Sequence, residues 1–245
     1  MSFKFYEVGG KVRDEILGLQ SKDIDYVAVP NLTLLEQYKK AEDMFDVLIE
    51  FLKSEGFTLF LITEDCYTIR AKYPKGHKHE GLVADFVMAR KEIGYVKGTR
   101  TPIVVPGTLY DDLQRRDFTL NALAKSEDGN LIDYFDGLLH LKEGILQTPL
   151  PCKQTFDDDP LRILRAIRFS ITKGFQIPAD MWWEIYNYDY ENKMSVVSTE
   201  RIREELFKCF KADTLRTLGY MNEFPRLKNY IFKDNKLWLK PTNEQ

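Results

Sequence analysis

The chain has 245 residues, of which 44% are hydrophobic and 30% are charged, so it can bury one large core or two small ones. It contains no run of about 18 apolar residues, which argues against a membrane span. Its net charge of −3 argues against strong non-specific binding to nucleic acid. Because its three cysteines lack metal-type spacing and we expect no signal peptide, we expect a cytoplasmic protein.

The first elements alternate between strand and helix. Residues 3–8 (FKFYEV) and 23–29 (DIDYVAV) have the alternation and β-branched content of strands. Between them, Val12, Ile16 and Leu19 recur at helical spacing and predict a short helix. A long amphipathic helix is then predicted from 34 to 55, with the next glycine placed to cap it.

The middle of the chain predicts three further strands, in FTLFLIT, CYTIRAKY and GLVADFVMA. Residues 95–108 are punctuated by Gly and Pro and predict a loop. Residues 123–135 predict a hairpin with Asp-Gly at its turn, and the remainder predicts helices. We therefore divide the chain into a mixed α/β part, residues 1–148, and a helical part, residues 149–245.

Three aspartates are candidates for metal chemistry. Asp23 and Asp25 lie two residues apart on a predicted strand, so their side chains share a face. Asp85 lies within a later strand and joins them if the two strands are neighbours. Such carboxylates suit two Mg²⁺ ions that also bind substrate phosphates. An Asp-x-Asp pattern also occurs in solvated turns, so the pattern alone leaves both interpretations open.

Gly9 and Gly10 lie between the first strand and the first helix. Backbone N–H groups at such a turn can bind phosphate, and Arg13 lies one turn further on. An ordinary strand-to-helix turn has the same composition. The phosphate interpretation gains weight because the paired aspartates follow in the same short segment.

Six segments carry a family resemblance. VGGKVRDEILGLQSKDIDYV resembles the first signature of the class II tRNA nucleotidyltransferases and bacterial poly(A) polymerases, which are polymerase β-like nucleotidyltransferases. Their later motifs are resembled, in order, by VADFVMARKEIGY, DDLQRRDFTLNALA, LIDYFDGLLHLKEGIL, DDDPLRILRAIRF and VSTERIREELFK. The resemblance covers residues 5–210 and implies an α+β fold. That fold would be a polymerase β-like head, with a small mixed sheet and flanking helices, followed by an all-helical neck and a short body.

The resemblance also implies roles for individual residues. Asp23 and Asp25 would be the metal ligands, with Asp85 as the third catalytic carboxylate. The triphosphate would be held at the glycine turn, the sugar recognised by the RRD motif, and the base read by the neck. The implied nucleotide-binding residues are Gly9, Gly10, Arg13, Arg116, Asp117, Asn121, Asp159, Arg162, Arg165 and Arg168.

The base-reading pair, Asp159 and Arg162, has an independent chemical rationale. An Asp only accepts hydrogen bonds and an Arg only donates them. C and A both present an amino donor beside a ring-nitrogen acceptor, whereas G and U present the reverse pattern. The pair would therefore accept C and A without a nucleic-acid template. Asp159 before Pro160 is also a good helix N-cap, so both interpretations stay open.

The implied reaction is addition of CMP or AMP from CTP or ATP to an RNA 3′ end. The leading hypothesis is CCA addition or repair on tRNA. An A-adding poly(A) polymerase and a non-catalytic RNA-binding protein are the alternatives. His140 and Gln147 depart from the family pattern in the motif that supports the switch from C to A addition. For His77 and His79, we favour a solvated loop over a metal site. Because only a short segment follows the neck motif, two interpretations stay open: the RNA is held mainly by its 3′ end, or a dimer or partner chain replaces the missing tail.

Overall fold

The structure is a computed structural model that describes residues 2–20, 24–96, 98–99, 101–234 and 237. It contains two compact units. The first consists of the chain up to Val96 and from Thr101 to Leu139, and the second begins at His140. The functional division that the sequence suggests, at 148/149, stays a prediction.

The first unit is built on a seven-stranded sheet with the strand order β3-β4-β5-β2-β1-β8-β9. Strands β2 and β5 are parallel, and all the other neighbours are antiparallel. The predicted strands and the hairpin are confirmed. The sheet strands are β1 Phe3–Val8, β2 Asp25–Pro30, β3 Thr58–Thr63, β4 Thr68–Lys72, β5 Val83–Met88, β8 Leu123–Ser126 and β9 Leu131–Asp133.

Helices cover both faces of the sheet centre. Val27 and Ala28 are neighbours in β2 with opposite side-chain directions, yet both are fully buried. One face packs against a core that includes Met44 and Leu48, and the other against a core that includes Leu113. The helices of this unit are α1 Gly10–Ile16, α2 Leu32–Gln37, α3 Ala41–Ser54 and α4 Leu109–Gln114, and α5 Gly137–Glu143 includes the boundary between the units.

The prediction of one helix from 34 to 55 is wrong, because α2 ends at Gln37 and α3 begins at Ala41. Tyr38 has extended backbone angles, φ −113° and ψ 113°, and breaks the helix. Leu34 and Tyr38 pack against the same core as α3, so the apolar period continues across the break and conceals it. The predicted cap at Gly56 is confirmed by φ +82° and a bond from Phe57 N to Leu52 O.

The prediction of a loop at 95–108 is also wrong. Strand β6, Arg90–Tyr95, pairs with β7, Pro102–Pro106, in a separate antiparallel ribbon. Proline lacks an N–H donor and is tolerated at the ends of edge strands, where no ladder bond is lost. The β-branched residues 103–105 between the two prolines supply the strand propensity.

The second unit is helical, as predicted. Helices α7 and α10 are in contact, and Leu164 and Ile167 of α7 and Ile202 and Leu206 of α10 are fully buried. Its helices are α6 Cys152–Asp158, α7 Leu161–Lys173, α8 Ala179–Asn187, α9 Tyr190–Lys193, α10 Thr199–Ala212, α11 Thr214–Glu223 and α12 Pro225–Asn229. Across the described ranges, no helix has the length and apolar character needed to cross a membrane.

Candidate active site

Two of the three candidate carboxylates lie side by side on the sheet. Asp25 is the first residue of β2 and pairs in register with Asp85 of the parallel strand β5. Residues in register on adjacent strands direct their side chains to the same face, so the predicted convergence of these two carboxylates is supported. Asp23, the other predicted ligand, lies outside the described residues. Among the residues that are described, no three His, Cys, Asp or Glu side chains form a metal-type group.

Asp85 is already engaged by a cation. Arg70 of β4 donates from Nε and Nη2 to its two carboxylate oxygens, at 2.7 and 2.6 Å. Arg70 and Asp85 are in register, so Arg70, Asp85 and Asp25 form one row across three strands. Arg70 and Asp85 line a cavity of about 410 Å³. Sequence inspection missed Arg70, since nothing in its own segment marks it as the neighbour of a candidate ligand.

The glycine turn adjoins this row. Gly9 has φ +75°, a conformation that glycine adopts without a steric penalty, and α1 begins at Gly10. A Cβ placed on Gly9 would lie 3.4 Å from Arg116 Nη1 and 3.8 Å from Asp25 Oδ2. A guanidinium, a candidate metal ligand and a turn without side chains therefore meet at one point.

Arg13 is held in a second, buried part of the site. The residue is 7% exposed, and its Nη1 donates to Asn121 Oδ1 at 2.6 Å. Asn121 Nδ2 in turn donates to Asp117 Oδ1 at 2.9 Å, and the same oxygen accepts from the Phe118 backbone. The structure thus brings the first motif and the RRD motif together, as their proposed shared role in nucleotide binding requires.

Asp112, which sequence inspection also missed, holds both arginines of the RRD motif. Its fully buried carboxylate accepts from Arg115 Nε at 3.1 Å and from Arg116 Nη2 at 3.0 Å. Burial alone would raise the pKa of Asp112, but the two guanidinium groups outweigh it and hold that pKa below its ordinary value. The available signal was helical spacing. Arg115 and Arg116 follow Asp112 by three and four residues, the two separations at which side chains on a helix meet.

The base-reading candidates belong to the second unit. Asp159 Oδ1 accepts from the backbone N–H of Leu161, the first residue of α7, at 3.0 Å, which supports the capping interpretation. Arg162 Nη1 donates to Thr155 O at 3.3 Å and is half-buried. A cap does not exclude a second function, and the reading of a base by this pair stays a prediction.

Arg165 and Arg168 flank one aromatic ring on α7. The Cζ atoms of Arg165 and Arg168 lie 5.8 and 4.5 Å from the centre of the Phe169 ring. Arg168 Nε also donates to Glu205 Oε2 on α10 at 2.5 Å, and Glu205 is buried. This ion pair ties α7 to α10, while the support that both arginines would give to a nucleotide pocket stays a prediction.

The histidines occupy less exposed positions than a solvated loop would give them. His77 stacks on Tyr73 with ring centres 4.6 Å apart, and its Nδ1 accepts from the His79 backbone at 3.1 Å. His140 is half-buried in α5. Gln147, the other departure from the family pattern, has a buried Oε1 without a hydrogen-bond partner in the described part of the chain.

The fold and the arrangement around Gly9 define an α+β chain with a nucleotidyltransferase head and a helical neck. Residues 5–147 match the poly A polymerase head domain. The chain belongs to that family, which confirms the resemblance recognised in its motifs.

Named relatives agree with this assignment. The chain is 35% identical over 238 residues to the mitochondrial CCA tRNA nucleotidyltransferase of Saccharomyces cerevisiae, covering 91% of this chain and 41% of that protein. It resembles the Thermotoga maritima CCA-adding enzyme complexed with tRNA, with a TM-score of 0.68 and 28% identity. The match covers 98% of this chain and 50% of that enzyme's chain. It also resembles the Bacillus stearothermophilus CCA-adding enzyme in complex with CTP, with a TM-score of 0.70 and 25% identity. That match covers 89% of this chain and 47% of the enzyme's chain. The chain thus spans about half the length of the proteins it matches.

Proposed function

We propose that this protein is a template-independent RNA nucleotidyltransferase that adds CMP and AMP, from CTP and ATP, to the 3′ end of tRNA. The observation that carries the proposal is the meeting of Arg116, Asp25 and the side-chain-free turn at Gly9. The matched relatives that are named CCA-adding enzymes support the choice of substrate, and one of them is described in complex with CTP.

Each part of the site has a proposed task. Arg116 and Arg13 bind the triphosphate, because guanidinium groups donate several charge-assisted hydrogen bonds to phosphate oxygens. Asn121 and Asp117 hold Arg13 in place through the chain of bonds described above and lie where the sugar would be recognised. In the second unit, we propose that Asp159 and Arg162 read the base, in addition to the capping bond of Asp159.

Asp25 and Asp85 are fitting ligands for Mg²⁺, together with Asp23. Their adjacent positions on one sheet face supply the anionic oxygens that Mg²⁺ requires, and substrate phosphates complete such a shell. Mg²⁺ held by these carboxylates would supply activation of an attacking hydroxyl and charge stabilisation for the departing pyrophosphate. Asp85 is paired with Arg70, so this carboxylate is shared between the cation on β4 and any metal.

An extension assay tests the proposal. The protein is incubated with Mg²⁺ and tRNA transcripts that end before CCA, after C or after CC, with each nucleotide alone and with CTP plus ATP. We expect growth that stops after CCA, and we expect Asp23→Ala and Asp25→Ala to abolish it while the circular dichroism spectrum is retained. Asp46→Ala is the matched control, because Asp46 is exposed on α3. Incorporation near the wild-type rate in either site variant would refute the metal-ligand assignment.

A poly(A)-type activity is the second candidate, because the family that matches residues 5–147 is described as a poly A polymerase head domain. In the same assay, a long A tail would establish it in place of CCA addition. Addition of C alone would locate the difference at the motif that contains His140 and Gln147. No incorporation on any RNA would favour a non-catalytic RNA-binding protein.

A further inference from the structure

A partly buried ionic network lies behind Arg116. Asp112, fully buried in α4, accepts hydrogen bonds from both Arg115 and Arg116. Arg115 also approaches Glu92 of β6, with Nη1 3.7 Å from Oε1, and Arg90 Nη2 lies 3.9 Å from the same oxygen. The network therefore extends from the β6–β7 ribbon to the residue beside the glycine turn.

Among the described residues, the ion pairs of this network join three guanidinium groups, those of Arg90, Arg115 and Arg116, to the two carboxylates of Asp112 and Glu92. Arg116 is the member that reaches the site, since its Nη1 lies 3.4 Å from the Cβ position of Gly9. Its Nε is buried and has no hydrogen-bond partner among the residues described. The Arg116 guanidinium is thus held where an anion would approach Gly9, with the Asp25 carboxylate on the same side of the turn.

We propose that Asp112 is a positioning residue that holds Arg116 against the glycine turn, so that binding of the nucleotide triphosphate depends on a carboxylate that never touches it. This inference rests on the proposed function of the same site. A free arginine side chain has many rotamers, and fixing one before binding removes an entropic cost from the binding step. An amide at position 112 keeps the size but loses the charge that fixes two guanidinium groups.

The test measures binding of ATP and CTP with Mg²⁺, without RNA, by isothermal titration calorimetry on the full chain. We expect Asp112→Asn to weaken nucleotide affinity about tenfold or more, as the loss of a charge-assisted contact would. Asp111→Asn is the matched control, because this neighbouring carboxylate only caps α4 through Thr108 and should leave affinity unchanged. In the Arg116→Ala background, Asp112→Asn should cause little further loss, since its effect passes through Arg116.

The positioning role would be overturned by wild-type nucleotide affinity in a folded Asp112→Asn variant. It would also be overturned if Asp112→Asn reduced nucleotide affinity as much in the Arg116→Ala background as it does in the wild-type protein. If Asp112→Asn does not fold, Asp112→Glu supplies the test: it keeps the charge and should retain more affinity than Arg116→Ala does. Equal losses in those two variants would overturn the inference. Absence of nucleotide binding by the wild-type protein would overturn the proposed function itself, so the two failures are distinguishable.

Discussion

Arg70 and Asp85 form a two-pronged ion pair, with the Arg70 nitrogens 2.7 and 2.6 Å from the two Asp85 oxygens, one strand away from Asp25. A carboxylate that is bonded at both oxygens is less available to a metal. The pair is partly solvated, since the Arg70 side chain is 47% exposed, so the competition it offers is modest.

We therefore predict that Arg70→Ala lowers the Mg²⁺ concentration for half-maximal nucleotide addition by about two- to fivefold. Mn²⁺ binding, followed by electron paramagnetic resonance, should strengthen in parallel and reports on the site without turnover. Lys72→Ala is the control, because Lys72 is an exposed cation two residues further along the same strand. An unchanged or raised Mg²⁺ midpoint in Arg70→Ala would mean that Asp85 is not a shared ligand.

A comparison of Gly9→Ala with Gly18→Ala distinguishes the effect of backbone strain from the effect of a methyl group placed in the candidate site. Both glycines have positive φ, +75° and +70°, so either alanine should cost about 1 kcal/mol of stability. A Cβ at Gly18 would meet nothing within 4 Å, whereas one at Gly9 would stand between Arg116 and Asp25. We expect similar losses in urea denaturation but weaker ATP binding only for Gly9→Ala. Equal nucleotide affinities in the two variants would show that the nucleotide does not bind against Gly9.

Local patterns predict much of the fold, because they carry their own physical signal. The alternation in β1, the two glycines after it and the helical spacing in α7 are properties of contiguous residues. The motifs also assign Arg13, Arg116 and Asn121 to one predicted nucleotide site, and the structure brings the three residues together. The pairing of Asp25 with Asp85 needed one further condition, that β2 and β5 be neighbours, and only the sheet provides it.

The parts that sequence did not predict depend on contacts between distant segments. The break at Tyr38 is concealed because residues on both sides pack on one core. The β6–β7 ribbon is stabilised by pairing across a segment whose prolines indicate a loop. Arg70 is significant only because β4 lies beside β5, since no property of its own segment distinguishes it from an exposed surface arginine.

Arg162→Ala tests base reading in the second unit. Arg162 lies on α7, with one N–H bonded to Thr155 O at 3.3 Å. If the side chain also donates to the base, its loss should reduce the preference for CTP and ATP over GTP and UTP by about tenfold or more, with a smaller change in the maximal rate. Lys173→Ala, at the last residue of the same helix, is the control. Unchanged selectivity across the four nucleotides would confine the Asp159 region to its capping role.

Asp112 should also give the protein a recognisable acid dependence. Its folded-state pKa is held below the ordinary value, because Arg115 and Arg116 overcome the opposing effect of burial. A lowered folded pKa means that the carboxylate stabilises the fold above about pH 4 and that this contribution is lost as the pH falls through the folded pKa. Asp112→Asn removes the contribution at every pH.

We accordingly predict that Asp112→Asn lowers the free energy of unfolding by about 3 kcal/mol at pH 7, because two half-buried guanidinium groups lose their fully buried partner. The difference from the wild-type protein should shrink as the pH is lowered from 5 toward 3, in urea titrations at fixed ionic strength. Asp46→Asn, an exposed carboxylate on α3, should show a small difference throughout. A wild-type minus Asp112→Asn difference that stays constant over this range would mean that the ion pairs with Asp112 do not stabilise the folded state.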